Sequence, residues 1–152
     1  MPTKDELIAL AKETALANGL DPALVCAVCE QESGWNPSAT RFEPAFKARY
    51  IDSMGLSEPE ATYRATSYGL CQIMGEVARE FGLLADIPTS LADPATNLAF
   101  GCKILKHKIN VNGGGSVPKG LAAYNGGANT AYAPMVLARV AKYQTNDIEA
   151  AE

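Results

Sequence analysis

A chain of 152 residues has the length of one ordinary domain, which argues against a two-domain enzyme built around an interdomain cleft. Apolar residues make up 47% and charged residues 20%, enough for a proper core and unlike a disordered chain or a coiled coil. Thirteen basic and 17 acidic side chains leave a net charge of −4, so nothing points to a nucleic-acid partner or to an anionic membrane, and a monomer is expected.

Lys4, Asp5, Glu6, Lys12 and Glu13 interrupt the first 20 residues. No apolar stretch of signal-peptide type lies there, so synthesis in the cytoplasm without stable membrane insertion is expected. Thr3 with Glu6 has the spacing of a capping box, and Leu7, Ile8, Ala11, Ala15 and Leu16 follow at helical intervals up to Gly19. Asp21-Pro22 supplies an N-cap and a first-turn proline for a second helix. Its run Leu24, Val25, Cys26, Ala27, Val28 and Cys29 is apolar on every side, so this helix is expected to be the buried axis of the domain. It ends in the polar run Glu30-Gln31-Glu32-Ser33-Gly34, and Asn36-Pro37 stops it.

Residues 38–66 hold three arginines, several acids and two prolines without strand alternation, which predicts a loop with short helices. Another pattern starts near Gly69. Asp93-Pro94 repeats the earlier cap and opens a helix with the predicted buried stripe Ala95, Leu98, Ala99, Cys102, Leu105 and Ile109, broken at Gly113-Gly114-Gly115. A short segment from Val117 to Tyr124, the turn Asn125-Gly126-Gly127 and a last helix from about Thr130 follow, with a frayed tail expected from Thr145. Cys26 and Cys29 form a CxxC pair, but Cys71, Cys102 and the single histidine, His107, lie far off. Four buried, metal-free thiols are expected, as cysteine packs like a small apolar residue. The whole is read as one mainly α domain, residues 1–152, of helices packed around a central buried helix.

The chemistry concentrates at the end of the second helix. An all-apolar helix that terminates in carboxylates places acids where water is scarce, and both burial and the negative end of the helix raise a carboxyl pKa. A glutamate protonated near neutrality is what a general acid for glycosidic cleavage requires. Glu32 continues one apolar stripe and Glu30 another, so the pattern alone does not choose between them.

Three blocks in order, Glu32-Ser33-Gly34-Trp35-Asn36-Pro37, Ser67-Tyr68-Gly69-Leu70-Cys71-Gln72-Ile73-Met74 and Ala122-Ala123-Tyr124-Asn125-Gly126-Gly127, resemble the soluble lytic transglycosylase family of lysozyme-like enzymes. The likeness covers roughly residues 5–143. It implies a lysozyme-like fold with long loops lining a cleft, and it selects Glu32 as the single catalytic acid/base. Gln72 is then a cleft-wall amide facing sugar groups, with Cys71 where methionine is more usual. Tyr124 becomes the partner of Glu32, and Ser33, Tyr68 and Asn125 become substrate-binding residues. Trp35 either stacks on a sugar or locks the helix end into the core.

The activity implied is cleavage of the β-1,4 bond between N-acetylmuramic acid and N-acetylglucosamine in peptidoglycan glycan strands, with a 1,6-anhydromuramoyl product and no metal or organic cofactor. A phage or prophage lysin acting on the bacterial cell wall suits that activity. The sequence departs from the pattern in the long stretch between Pro37 and Gly69. Were Glu43 or Asp52 from that stretch to reach the far side of the sugar, it could activate water, and the enzyme would be a hydrolytic muramidase. A helical glycan-binding module that keeps the fold without the activity is the reading from another class.

Overall fold

The computed structural model describes residues 1–151, with side chains through Gln144; the tail expected to fray from Thr145 lies outside the residues described with side chains. α1 (Lys4–Ala17) starts on the predicted capping box: the Glu6 amide donates to Thr3 Oγ1 at 3.2 Å and the Thr3 amide to the Glu6 carboxylate at 2.8 Å. α2 (Pro22–Ser33) is capped by Asp21, which accepts from the Ala23 amide at 2.9 Å. Ala23 through Cys29 are all buried, because α1 covers one side of α2 and the last helix, α9 (Tyr132–Ala151), another. Such enclosure is what an apolar run on every face demands. Glu30 to Ser33 continue the helix, which ends where Gly34 turns left-handed at φ 59°.

The stretch read as a loop with short helices has those helices: α3 (Pro44–Phe46), a π-helical turn Lys47–Ile51, a 3-10 turn Asp52–Met54 and α4 (Glu58–Arg64). Ile51, Ala61 and Ala65 form a small core of their own beneath it. A three-stranded antiparallel sheet was not legible in the sequence. β1 (Thr40–Phe42) pairs with β2 (Thr66–Tyr68), which pairs with β3 (Ile73–Met74). With two or three residues each, these strands are too short to carry an alternation signal.

α5 (Gly75–Glu80) and α6 (Ile87–Ala92) lead to α7 (Pro94–His107), capped by Asp93 onto the Thr96 amide as predicted. Its buried stripe is rotated from the expected one. Ala95 and Ala99 are exposed, while Asn97, Gly101 and Ile104 join Leu98, Cys102 and Leu105 inside. The shift follows from Asn97, a polar residue buried for its hydrogen bonds, and Gly101, whose missing side chain makes room for Cys71. A π-helical turn Lys108–Asn112 and α8 (Val117–Tyr124) precede α9.

One contiguous core runs from Leu7 to Tyr143, and the protein is mainly helical and lysozyme-like in class. All four cysteines are buried thiols in it. Cys29 and Cys71 approach to 3.9 Å, and the Cys71 contact together with burial pushes the Cys29 thiol well up, which keeps it unreactive. Among the described residues, no helix is long and apolar enough to cross a membrane.

Candidate active site

Glu30 and Glu32 are two residues apart on α2, about 200° around the helix, and so they leave the same buried rod on opposite sides. Glu30 turns towards α9. Burial by itself would raise its carboxyl, but Lys142, Arg139 and the Tyr143 hydroxyl all donate to it and together hold it at about 2. It is a tie between α2 and α9 that is ionised at neutral pH. Trp35 belongs to the same junction: it is buried and its indole donates to Tyr143 Oη at 2.9 Å, so it locks the helix end into the core.

Glu32 turns the other way, into a cleft of about 630 Å³. Burial pushes its carboxyl up from 4.5 to about 7, against a smaller downward pull from the Tyr132 hydroxyl and the Arg41 charge. The Tyr132 hydroxyl is itself buried and, among the described residues, has no partner at hydrogen-bond geometry. It interacts with Glu32 without closing a formed bond, so a polar group held dry stands beside the acid.

The wall next to Glu32 is the turn Gly69-Leu70-Cys71-Gln72. Asn97 on α7 organises it from behind: its Oδ1 accepts from the Cys71 amide at 2.9 Å, and its amide donates to Tyr68 O at 2.8 Å and Leu91 O at 2.9 Å. Gly69 has φ +73°, and a Cβ there would lie 2.8 Å from Leu91 O and collide with the Asn97 amide. Ser33 ties α2 to the same turn, its hydroxyl shared between Leu70 O at 2.9 Å and Cys29 O at 3.1 Å.

Gln72 lines the cleft in a left-handed conformation, φ 47°. Its amide nitrogen donates to Ala39 O at 3.1 Å and Gly69 O at 3.0 Å, so both protons are engaged and Oε1 is what it offers a ligand. Tyr124 also lines the cleft, but its hydroxyl donates to Cys71 O at 2.7 Å. Two phenols therefore stand near Glu32: Tyr124, tied to the wall turn, and Tyr132, which the resemblance did not name.

The structure thus brings Glu32, Gln72, Tyr124 and Asn125 to one cleft and leaves Ser33 and Tyr68 outside its lining. For Tyr68 the reason is burial in the core. Arg41 is paired with Ser67 and Ser67 with Met74, and these three share the cleft face. Tyr68, one residue on, is buried, and its hydroxyl lies 3.4 Å from Tyr63 O. Arg41, Glu43, Lys108, Asn129 and Tyr132 line the cleft as well. Asp52 is engaged instead with Lys47, at 2.7 Å.

The family model described as the transglycosylase SLT domain matches residues 9–135, a span that includes Glu32, the Gly69 turn, Tyr124 and Tyr132. The chain belongs to the transglycosylase SLT domain family. Members of that family are lytic transglycosylases acting on peptidoglycan. No solved structure matches the chain. Of the cleft residues that the sequence did not single out, Tyr132 is the phenol beside Glu32. A signal was present, since Tyr132 and Val136 share a helix face at a four-residue spacing, and a phenol carried into a core on such a face needs a polar neighbour.

Proposed function

We propose that this protein is a peptidoglycan lytic transglycosylase in which Glu32 is the single acid/base, acting at the bacterial cell wall. The observation that carries the reading is the Glu32 carboxyl at the tip of the buried α2, in a cleft, with burial raising it to about 7. In that state it holds a proton near neutrality and can give it to the glycosidic oxygen on the N-acetylglucosamine side as the bond to muramoyl C1 breaks. The carboxylate left behind takes the proton of the muramoyl C6 hydroxyl, whose oxygen closes on C1 to form the 1,6-anhydro ring. The proton returns to Glu32 and no water is consumed.

The chain's other residues support the same course. Tyr132 brings a hydroxyl without a formed bond to the carboxyl that changes charge, and Gln72 Oε1 accepts from sugar hydroxyl or N-acetyl N–H groups. Glu43 lines the cleft but its carboxylate is bonded to Arg41 at 2.9 Å, and Asp52 is bonded to Lys47, so neither serves this reading as a free base for water.

Mass spectrometry of fragments released from purified cell-wall sacculi tests the proposal. Anhydromuramoyl ends are expected, and disappearance of the activity in Glu32→Gln. Reducing muramic acid ends would mean hydrolysis, and no release at all would leave a glycan-binding module.

A further inference from the structure

β1 and the residue that follows it carry two charged side chains to the cleft. Arg41 and Glu43 are two apart on extended backbone, so both side chains face the same way and both line the cleft, while Phe42 between them is turned out and half exposed. Arg41 Nε donates to Glu43 Oε1 at 2.9 Å. Glu43 makes no side-chain cap to α3, the helix it precedes, so holding Arg41 is its described contact.

Several groups face Glu32. Tyr132 does so from the start of α9, Tyr124 from the end of α8, and Arg41 from β1 as a full positive charge. A guanidinium stays charged at every working pH, and a cation near a carboxyl favours the ionised form. A bare charge of that kind facing the acid works against proton donation. A guanidinium held by a carboxylate at the cleft wall is kept from turning towards Glu32, whereas a free one is drawn to any carboxylate it can reach.

We propose that Glu43 is a positioning residue which acts on Glu32 through Arg41: by pairing the guanidinium at the cleft wall, it limits the positive charge reaching Glu32 and keeps Glu32 a proton donor. The catalytic meaning of this pairing rests on the function proposed above, but the pairing itself is tested without turnover. Arg41 is 75% exposed and Glu43 33%, so water screens the effect and the expected shifts are modest.

The experiment is a pH titration of the Glu32 side-chain carboxyl by carbon-13 NMR in four folded proteins: the unaltered chain, Arg41→Gln, Glu43→Gln and the double variant. Arg41→Gln is expected to move the Glu32 midpoint up, and Glu43→Gln to move it down by roughly half a pH unit. In the Arg41→Gln background, Glu43→Gln is expected to do almost nothing. A Glu43→Gln shift of the same size with and without Arg41 would overturn the proposal, because Glu43 would then act directly. So would the absence of any shift. Turnover on sacculi supplies a second readout: Glu43→Gln should lose rate near neutrality and regain it at lower pH, with anhydro ends retained. Equal loss at every pH would make Glu43 a catalytic base and refute the positioning role. If the unaltered chain cleaves no sacculi, the transglycosylase reading fails, and the NMR comparison still decides whether Glu43 governs Arg41.

Discussion

Glu30 and Glu32 have the same chemistry and nearly the same place on one helix, yet one is held at about 2 and the other at about 7. The difference is company. Glu30 meets two cations and a phenol; Glu32 meets a buried hydroxyl and a guanidinium already paired with Glu43. Sequence spacing cannot separate them, because each continues an apolar stripe and the partners of Glu30 lie more than a hundred residues away. Glu32→Gln is expected to fold normally and to lower turnover on sacculi by about 10²-fold or more, the loss typical of acid/base catalysis. Tyr132→Phe separates function from stability. Deleting a buried hydroxyl that has no formed bond should leave the melting temperature unchanged or raise it, whereas turnover should fall about tenfold or more if the hydroxyl attends the charge on Glu32. A variant that is destabilised but fully active would reverse that assignment.

Elements hold these residues in place, and here the sequence was legible where the signal is local. The caps at Thr3, Asp21 and Asp93, the apolar length of α2 and the start of α8 all follow from neighbouring residues. The sheet was not legible, because its strands are defined by pairing, and the wall at Gln72 was legible only through the resemblance, since the Asn97 that organises it reaches back 26 residues to Cys71. Tyr68, named beside Gly69 in its block, is buried outside the cleft lining. Asn97→Leu leaves the Cys71 amide and the Tyr68 and Leu91 carbonyls without their partner, at a cost of about 3 kcal/mol or more by the usual penalty for buried unsatisfied groups. Denaturant unfolding measures that loss. Turnover should fall along with it, since Gln72 and the Tyr124 acceptor ride on the same turn.

At the scale of the whole molecule the two glutamates make stability depend on pH in opposite directions. Glu30 is lowered from 4.5 to about 2, so its contribution is present above 4.5 and is lost as pH falls through 2. Glu30→Gln should therefore destabilise the fold near neutrality and lose that effect in strong acid, as thermal melts at several pH values would register. Glu32 is raised from 4.5 to about 7, so the folded state resists its ionisation. Its favourable contribution is complete below 4.5 and is lost as pH rises through 7. Catalysis by this chain stands or falls with that single buried carboxyl, and the most direct test is the stability difference between the unaltered chain and Glu32→Gln, followed by denaturant unfolding across the pH range. Below pH 4.5 the difference should be constant, and from there to about 7 it should swing in favour of Glu32→Gln. The full swing should be roughly 3 kcal/mol, because a carboxyl that titrates one pH unit higher in the folded chain than in the unfolded one contributes about 1.4 kcal/mol. A difference that stays flat through that window would mean that Glu32 ionises in the folded protein like an ordinary exposed glutamate, and it would contradict the assignment of this residue as the acid.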